Sequence, residues 1–207
     1  MINQEIDDSN LDDSINNDAP GVESVKSFIF EIIKVLIISL IIIIPIRAYV
    51  VQPFYVDGDS MEPNFSDGQY LVVDEISYRF KEPQRGDIVI FHPPNNSKVY
   101  YIKRIIGLPG EVVDIKDATI RVFATDSTEA LVIDESKYLS EDYQLRTSEK
   151  YHVTLSETEF YLMGDNRKSS LDSRRLGPIG EEFIKGKVVL RSFPFDKFTI
   201  IQPPIYD

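Results

Sequence analysis

The chain has 207 residues, no cysteine, two histidines and a formal net charge of -12. That length suits one catalytic-size domain with an appendage, and the missing cysteines exclude disulfides, thiolate chemistry and cysteine-ligated metal sites. With only His92 and His152 no HExxH or multi-histidine metal site can be assembled, and the acidic balance argues against a nucleic-acid binder, which needs a basic patch.

Much of the acidity sits at the start. Glu5, Asp7, Asp8, Asp12, Asp13, Asp18 and Glu23 meet no Lys or Arg before Lys26. Residues 1–26 are therefore expected to be a disordered acidic tail, and their acidity excludes an Arg-rich transit peptide. Residues 27–50 follow as a membrane anchor. The uncharged core Val35–Ile46 makes only about 18 Å of helix, and extension back to Phe28 approaches the roughly 30 Å of a hydrocarbon layer. Lys34 can snorkel there and pair with Glu31 at i, i+3. A buried core helix fits poorly because four consecutive isoleucines leave no polar face. A cleaved signal peptide lacks its small-x-small site in IPIRAYVVQPF. Lys26 and Lys34 before the core against Arg47 after it slightly favour a cytoplasmic amino terminus.

The stretch VDGDSMEPNF, Val56–Phe65, then sets Ser60 on a short bend that Gly58 permits and Pro63 stiffens. It reads either as a surface turn or as a presented nucleophile, and a serine hydroxyl needs a base to react. Beyond it, QYLVVDE, GDIVIFH, KVYYIKRIIG, EVVDI, TIRVFA, EFYLMGD and GKVVLRSF read as short strands separated by turn sequences such as EPQRGD, HPPNNS, GLPGE and GPIGE. Residues 51–207 are expected to form an all-β, mainly antiparallel, partly closed barrel with no convincing helix. Asp114 to Lys150 is the least patterned and most charged stretch and reads as an insertion or lid.

Within VYYIKRIIG, alternation places Lys103 and Arg104 on opposite faces, so one of the two points where apolar residues are expected. Burial would lower the lysine's pKa and make it a base, a role closed to arginine; an edge strand with both cations solvated is the alternative. Later, GDNRKSSLDSRRLG, Gly164–Gly177, packs many hydrogen-bonding groups behind a hydrophobic strand, with its charges balanced locally.

Together these segments resemble the type I signal peptidases, membrane-bound Ser/Lys endopeptidases. GDSMEP matches the nucleophile box, YIKRIIGLPGE the lysine box, GDNRKSSLDSR the Gly-Asp-Asn-Arg box, and PQRGDIVIF the strand between the first two. Asn64 departs from the Thr or Ser usual after the proline, which puts a local turn hydrogen bond in question. The resemblance implies Ser60 as nucleophile and Lys103 as general base, without cofactor or metal. It implies that Ser170 orients the lysine amine, that Asp172 and Arg174 form a structural ion pair, and that Asp165 braces the loop. The backbone of Ser60, and of Gly58 two residues before it, would donate to the oxyanion. Partners would be signal peptides of exported preproteins, with an Ala-x-Ala preference, and the lipid bilayer, with the enzyme acting as a monomer. The expected location is a bacterial inner membrane with the catalytic domain outside; a thylakoid-type membrane fits the same features. Self-cleaving repressors share the chemistry but need a DNA-binding module and act in solution. A non-catalytic anchored binding module would not require Ser60, Lys103 and Ser170 in one chain.

Overall fold

A computed structural model describes residues 22–45, 51–125, 127–145 and 150–206. The acidic tail up to residue 21, and residues 46–50 at the end of the expected anchor, lie outside the described residues. The chain divides into two compact units at Ile44/Pro45.

The first unit is helix α1, Val22–Pro45. Its span Val25–Ile44 has mean hydropathy 2.7 and is long and apolar enough to cross a membrane. Phe28, Ile33, Leu36 and Ile41 are exposed on all sides of it. Large apolar side chains are thus exposed on more than one face of this helix, as in a span of membrane-crossing length and composition.

The second unit is mainly antiparallel β. One sheet curls into a half-barrel from β1 (Val51–Tyr55), β2 (Tyr70–Asp74), β3 (Ile88–Phe91), β4 (Tyr101–Gly107), β9 (Glu159–Met163), β10 (Ile179–Gly180), β11 (Ile184–Phe193) and β12 (Thr199–Ile200). Its order is β1-β2-β11-β3-β4-β9-β10, with β12 beside β11. A second sheet, β7-β6-β5-β8, comes from β5 (Val112–Lys116), β6 (Thr119–Phe123), β7 (Ala130–Val132) and β8 (Tyr151–Thr154). Much of the stretch read as an insertion thus builds strands of its own, and Val113, Ile115, Ile120 and Val122 share a core with Ile106, Tyr161 and Met163 of the large sheet.

The register places the site. β4 lies inside the sheet, paired with β3 from Tyr101 to Arg104 and with β9 only from Arg104 onward. Val89, Phe91, Ile105, Phe160 and Leu162 form a core on one side of the sheet, while Val56, Met61, Phe65, Leu71, Ile88 and Ile90 form another. A strand covered on both faces buries both of its cations, so Lys103 is 3% and Arg104 4% exposed. The solvated edge strand is thereby excluded.

Candidate active site

Ser60 stands on a turn held from below. Val56, Met61 and Phe65 are buried in one core cluster, and burying a methionine side chain stabilises by roughly 1.5–3 kcal/mol, so Met61 anchors the bend beside the hydroxyl. Gly58 has φ +97°, a left-handed value that favours glycine. Its N–H donates to Asp67 Oδ1 at 2.9 Å. The Glu62 N–H closes the turn onto the Asp59 carbonyl at 3.0 Å.

Lys103 reaches this turn from β4. Its Nζ lies 2.7 Å from Ser60 Oγ and 2.8 Å from the Ile102 carbonyl oxygen. Burial lowers its pKa to about 8, against the opposing pull of Asp172 and Asp165 and with help from Arg174. In the ammonium form Nζ donates to Oγ. Once the amine is neutral the bond reverses and the serine O–H donates to nitrogen, which is the geometry of a general base poised on a nucleophile.

The loop after β9 packs against both. Gly164 has no room for a side chain, since a Cβ there would lie 2.5 Å from the Ser60 carbonyl oxygen and closer still to Ser170 Oγ. The Asn166 N–H donates to that same Ser60 carbonyl at 3.0 Å, and its amide reaches the Asp59 carbonyl at 3.2 Å. Asp172 caps the short helix α2, Ser173–Leu176, accepts from the Gly164 N–H at 3.0 Å and pairs with Arg174 through two bonds of 2.8 and 2.7 Å. Burial opposes its ionisation, but the Arg174 bonds and charge hold its carboxyl below the usual range. Asp165 makes its ion pair outside the loop: Arg104 Nε and NH2 reach its two oxygens at 2.7 and 2.6 Å.

The geometry thus joins Ser60 to Lys103, and Asp172 to Arg174. Ser170 is different. Its hydroxyl is buried over Gly164 and makes no hydrogen bond to Lys103. Asn64, the departure in the nucleophile box, keeps a hydrogen-bonding role by donating to Asp165 Oδ2 at 2.8 Å. Sequence reasoning assigned no role to Asn166, which clamps the nucleophile turn, or to Arg104 as the partner of Asp165. The position of Arg104 beside Lys103 in a hydrophobic strand was the available signal.

A groove of about 290 Å³ opens over the pair, lined by Phe54, Val56, Leu71, Ile90, Tyr100, Ile102 and Leu171 as well as Ser60 and Lys103. Two strand edges border it. Among the described residues β1 ends the sheet, and Tyr101–Lys103 of β4 has no strand partner on the side where β9 begins only at Arg104. Unpaired edges of this kind accept an extended peptide by strand addition. The described residues contain no cluster of His, Asp and Glu that could hold a metal.

Residues 29–193 match the family model described as signal peptidase, peptidase S26. The chain is 35% identical over 173 residues to Signal peptidase I of Bacillus licheniformis, covering 83% of this chain and 92% of that one. It is 33% identical to Probable signal peptidase I-1 of Synechocystis sp., covering 86% and 89%. A crystal structure of a signal peptidase I from Enterococcus faecalis is 30% identical, with a TM-score of 0.41, covering 52% of this chain and 97% of that one.

Proposed function

The chain belongs to the signal peptidase family, peptidase S26, and from that premise we propose that it cleaves signal peptides as a membrane-anchored Ser/Lys endopeptidase. The observation that carries the chemistry is the 2.7 Å contact between Ser60 Oγ and the buried Lys103 Nζ. Neutral Lys103 takes the Ser60 proton, and Ser60 attacks the scissile carbonyl. As the tetrahedral intermediate collapses and its C–N bond breaks, the Lys103 ammonium gives that proton to the leaving amine, and the neutral Lys103 so restored activates the water that releases the acyl-enzyme. The Ser60 N–H donates to the oxyanion. Gly58 contributes only once its own N–H leaves Asp67.

The proton arithmetic supports this assignment. A lysine at its ordinary pKa is about 0.1% neutral at pH 7.5, whereas one at about 8 is roughly one-quarter neutral. Asp172 with Arg174, and Asp165 with Arg104, fix the loop that clamps the nucleophile turn. Ser170 orients the amine in the substrate-bound enzyme, after a side-chain rotation from its present place over Gly164. An exported preprotein binds by adding its segment before the cut to the open edges of β1 and β4, with small side chains in the groove. The enzyme acts as a monomer held by α1 in a bacterial inner membrane, its β unit outside the cytoplasm.

An Ala-x-Ala signal-peptide substrate tests the assignment. Ser60→Ala and Lys103→Ala should each abolish cleavage, while His92→Ala and His152→Ala keep most of it. An essential histidine together with a dispensable Lys103 would overturn the Ser/Lys reading.

A further inference from the structure

Behind the catalytic pair, on the side away from the groove, a second set of buried charges has no part in the mechanism above. Arg167 is 3% exposed, and its Nε pairs with Glu135 Oε1 at 2.7 Å. Its NH2 donates to the Tyr138 hydroxyl at 2.7 Å. The Tyr138 ring lies under the Arg104 guanidinium, 4.3 Å from Cζ to ring centroid. The Tyr138 carbonyl accepts from Asn64 Nδ2 at 3.0 Å, the same amide that reaches Asp165. Glu135 is itself held, its Oε2 accepting from the Leu145 N–H at 2.8 Å.

Three segments therefore converge on one short turn, Glu135–Tyr138. Asn64 comes from the nucleophile turn, Arg104 from the residue after the lysine, and Arg167 from the loop that clamps Ser60. From this convergence we infer that Glu135 and Tyr138 are positioning residues for the Ser60/Lys103 pair, setting the distance between amine and hydroxyl from behind. The inference rests on the Ser/Lys reading above.

The physical reason lies in the interdependence of the buried charges. Arg167 cannot shed its proton, so its burial needs a counter-charge, and Glu135 supplies it. Arg104 spends its fork on Asp165 and the Gly86 carbonyl, which leaves its flat face to the Tyr138 ring. Loss of Glu135 leaves Arg167 to compete with Arg104 for Asp165. That competition shifts the residue next to Lys103 and the residue next to Asn166 together. Neither Glu135 nor Tyr138 lines the groove, so substrate affinity should be indifferent to both.

The test uses the full chain in detergent with a signal-peptide substrate, and counts active sites with an acylating inhibitor of Ser60. Glu135→Gln and Tyr138→Phe should each lower kcat per titrated site by about tenfold, with KM within about twofold, because misplacement of reacting groups acts on the transition state. The double variant should fall little below the worse single, as expected of one mechanical unit. Wild-type kcat per titrated site in both, with only the number of active sites reduced, would mean that these residues serve folding alone and would overturn the inference. A loss confined to KM would overturn it too. Should Glu135→Gln not fold, Tyr138→Phe, which removes a single oxygen, decides the matter by the same two criteria. Ser60→Ala and Lys103→Ala run in parallel separate the two readings: if either stays active, the Ser/Lys assignment fails first; if both are dead and the brace variants are normal, only the brace fails.

Discussion

On the proposed mechanism, Lys103 serves chemistry at the expense of folding. Its amine is taken from an ordinary pKa of 10.5 to about 8 by burial, which makes it a competent base. The same shift weakens the native state. Between pH 10.5 and 8 the unfolded chain holds a proton on this lysine that the folded chain has released, so stability falls as pH falls through that window. Below about pH 8 both states are protonated and the loss is constant, about 3 kcal/mol on a shift of this size. Lys103→Met keeps the length and removes the charge. It should be inactive yet more stable than the parent at pH 7, and the gain should vanish above pH 10.5; chemical denaturation at the two pH values measures it. In the active enzyme, the acid limb of kcat/KM should lie near pH 8, and a limb at the value of a free lysine would mark a solvated amine and another base.

At the scale of elements, the catalytic arrangement depends on how close the loop after β9 can come to the nucleophile turn. Gly164 sets that distance, because besides the Ser170 side chain a Cβ would strike the Ser60 backbone carbonyl, which cannot rotate aside. Gly164→Ala should therefore lower stability by about 1–3 kcal/mol, as overpacking does, and lower kcat by about two orders of magnitude through displacement of Ser60. A thermal melt and a single-turnover assay check the two effects separately. The long strands β2, β3, β4, β5, β6, β9 and β11 were legible in the sequence because their apolar runs are covered on one or both faces. β1 was not, since Pro53 argues against a strand, and a sheet's terminal strand tolerates the missing donor. The short β7, β8, β10 and β12 and helix α2 were not read from the sequence, being too short to show a pattern apart from the neighbours they pair with or pack on. The Ser60, Lys103 and Asp172–Arg174 groups could be found because each lies in a compact motif. Glu135 and Tyr138 could not, because their meaning comes only from a fold that carries them to Asn64, Arg104 and Arg167.

For the whole molecule, the proposed topology sets the acidic start and the β unit on opposite sides of the membrane that the apolar span Val25–Ile44 would cross. Protease added outside intact spheroplasts should digest the part after Arg47 and spare the tail before Lys26; the reverse pattern would invert the proposed topology. Within the β unit, the open edges of β1 and β4 have a consequence beyond substrate binding. An unpaired strand edge is a template for any extended chain, a second copy of the same protein included, and is a common origin of aggregation. At this groove Asp57 and Asp59 stand exposed at the mouth. Two copies meeting edge to edge would crowd four carboxylates together, against a background in which each chain already carries -12. An apolar stretch of signal peptide meets no such repulsion. On the proposed reading, the carboxylates beside Ser60 would act as a gatekeeper, leaving the edge open to substrate and closed to its own kind.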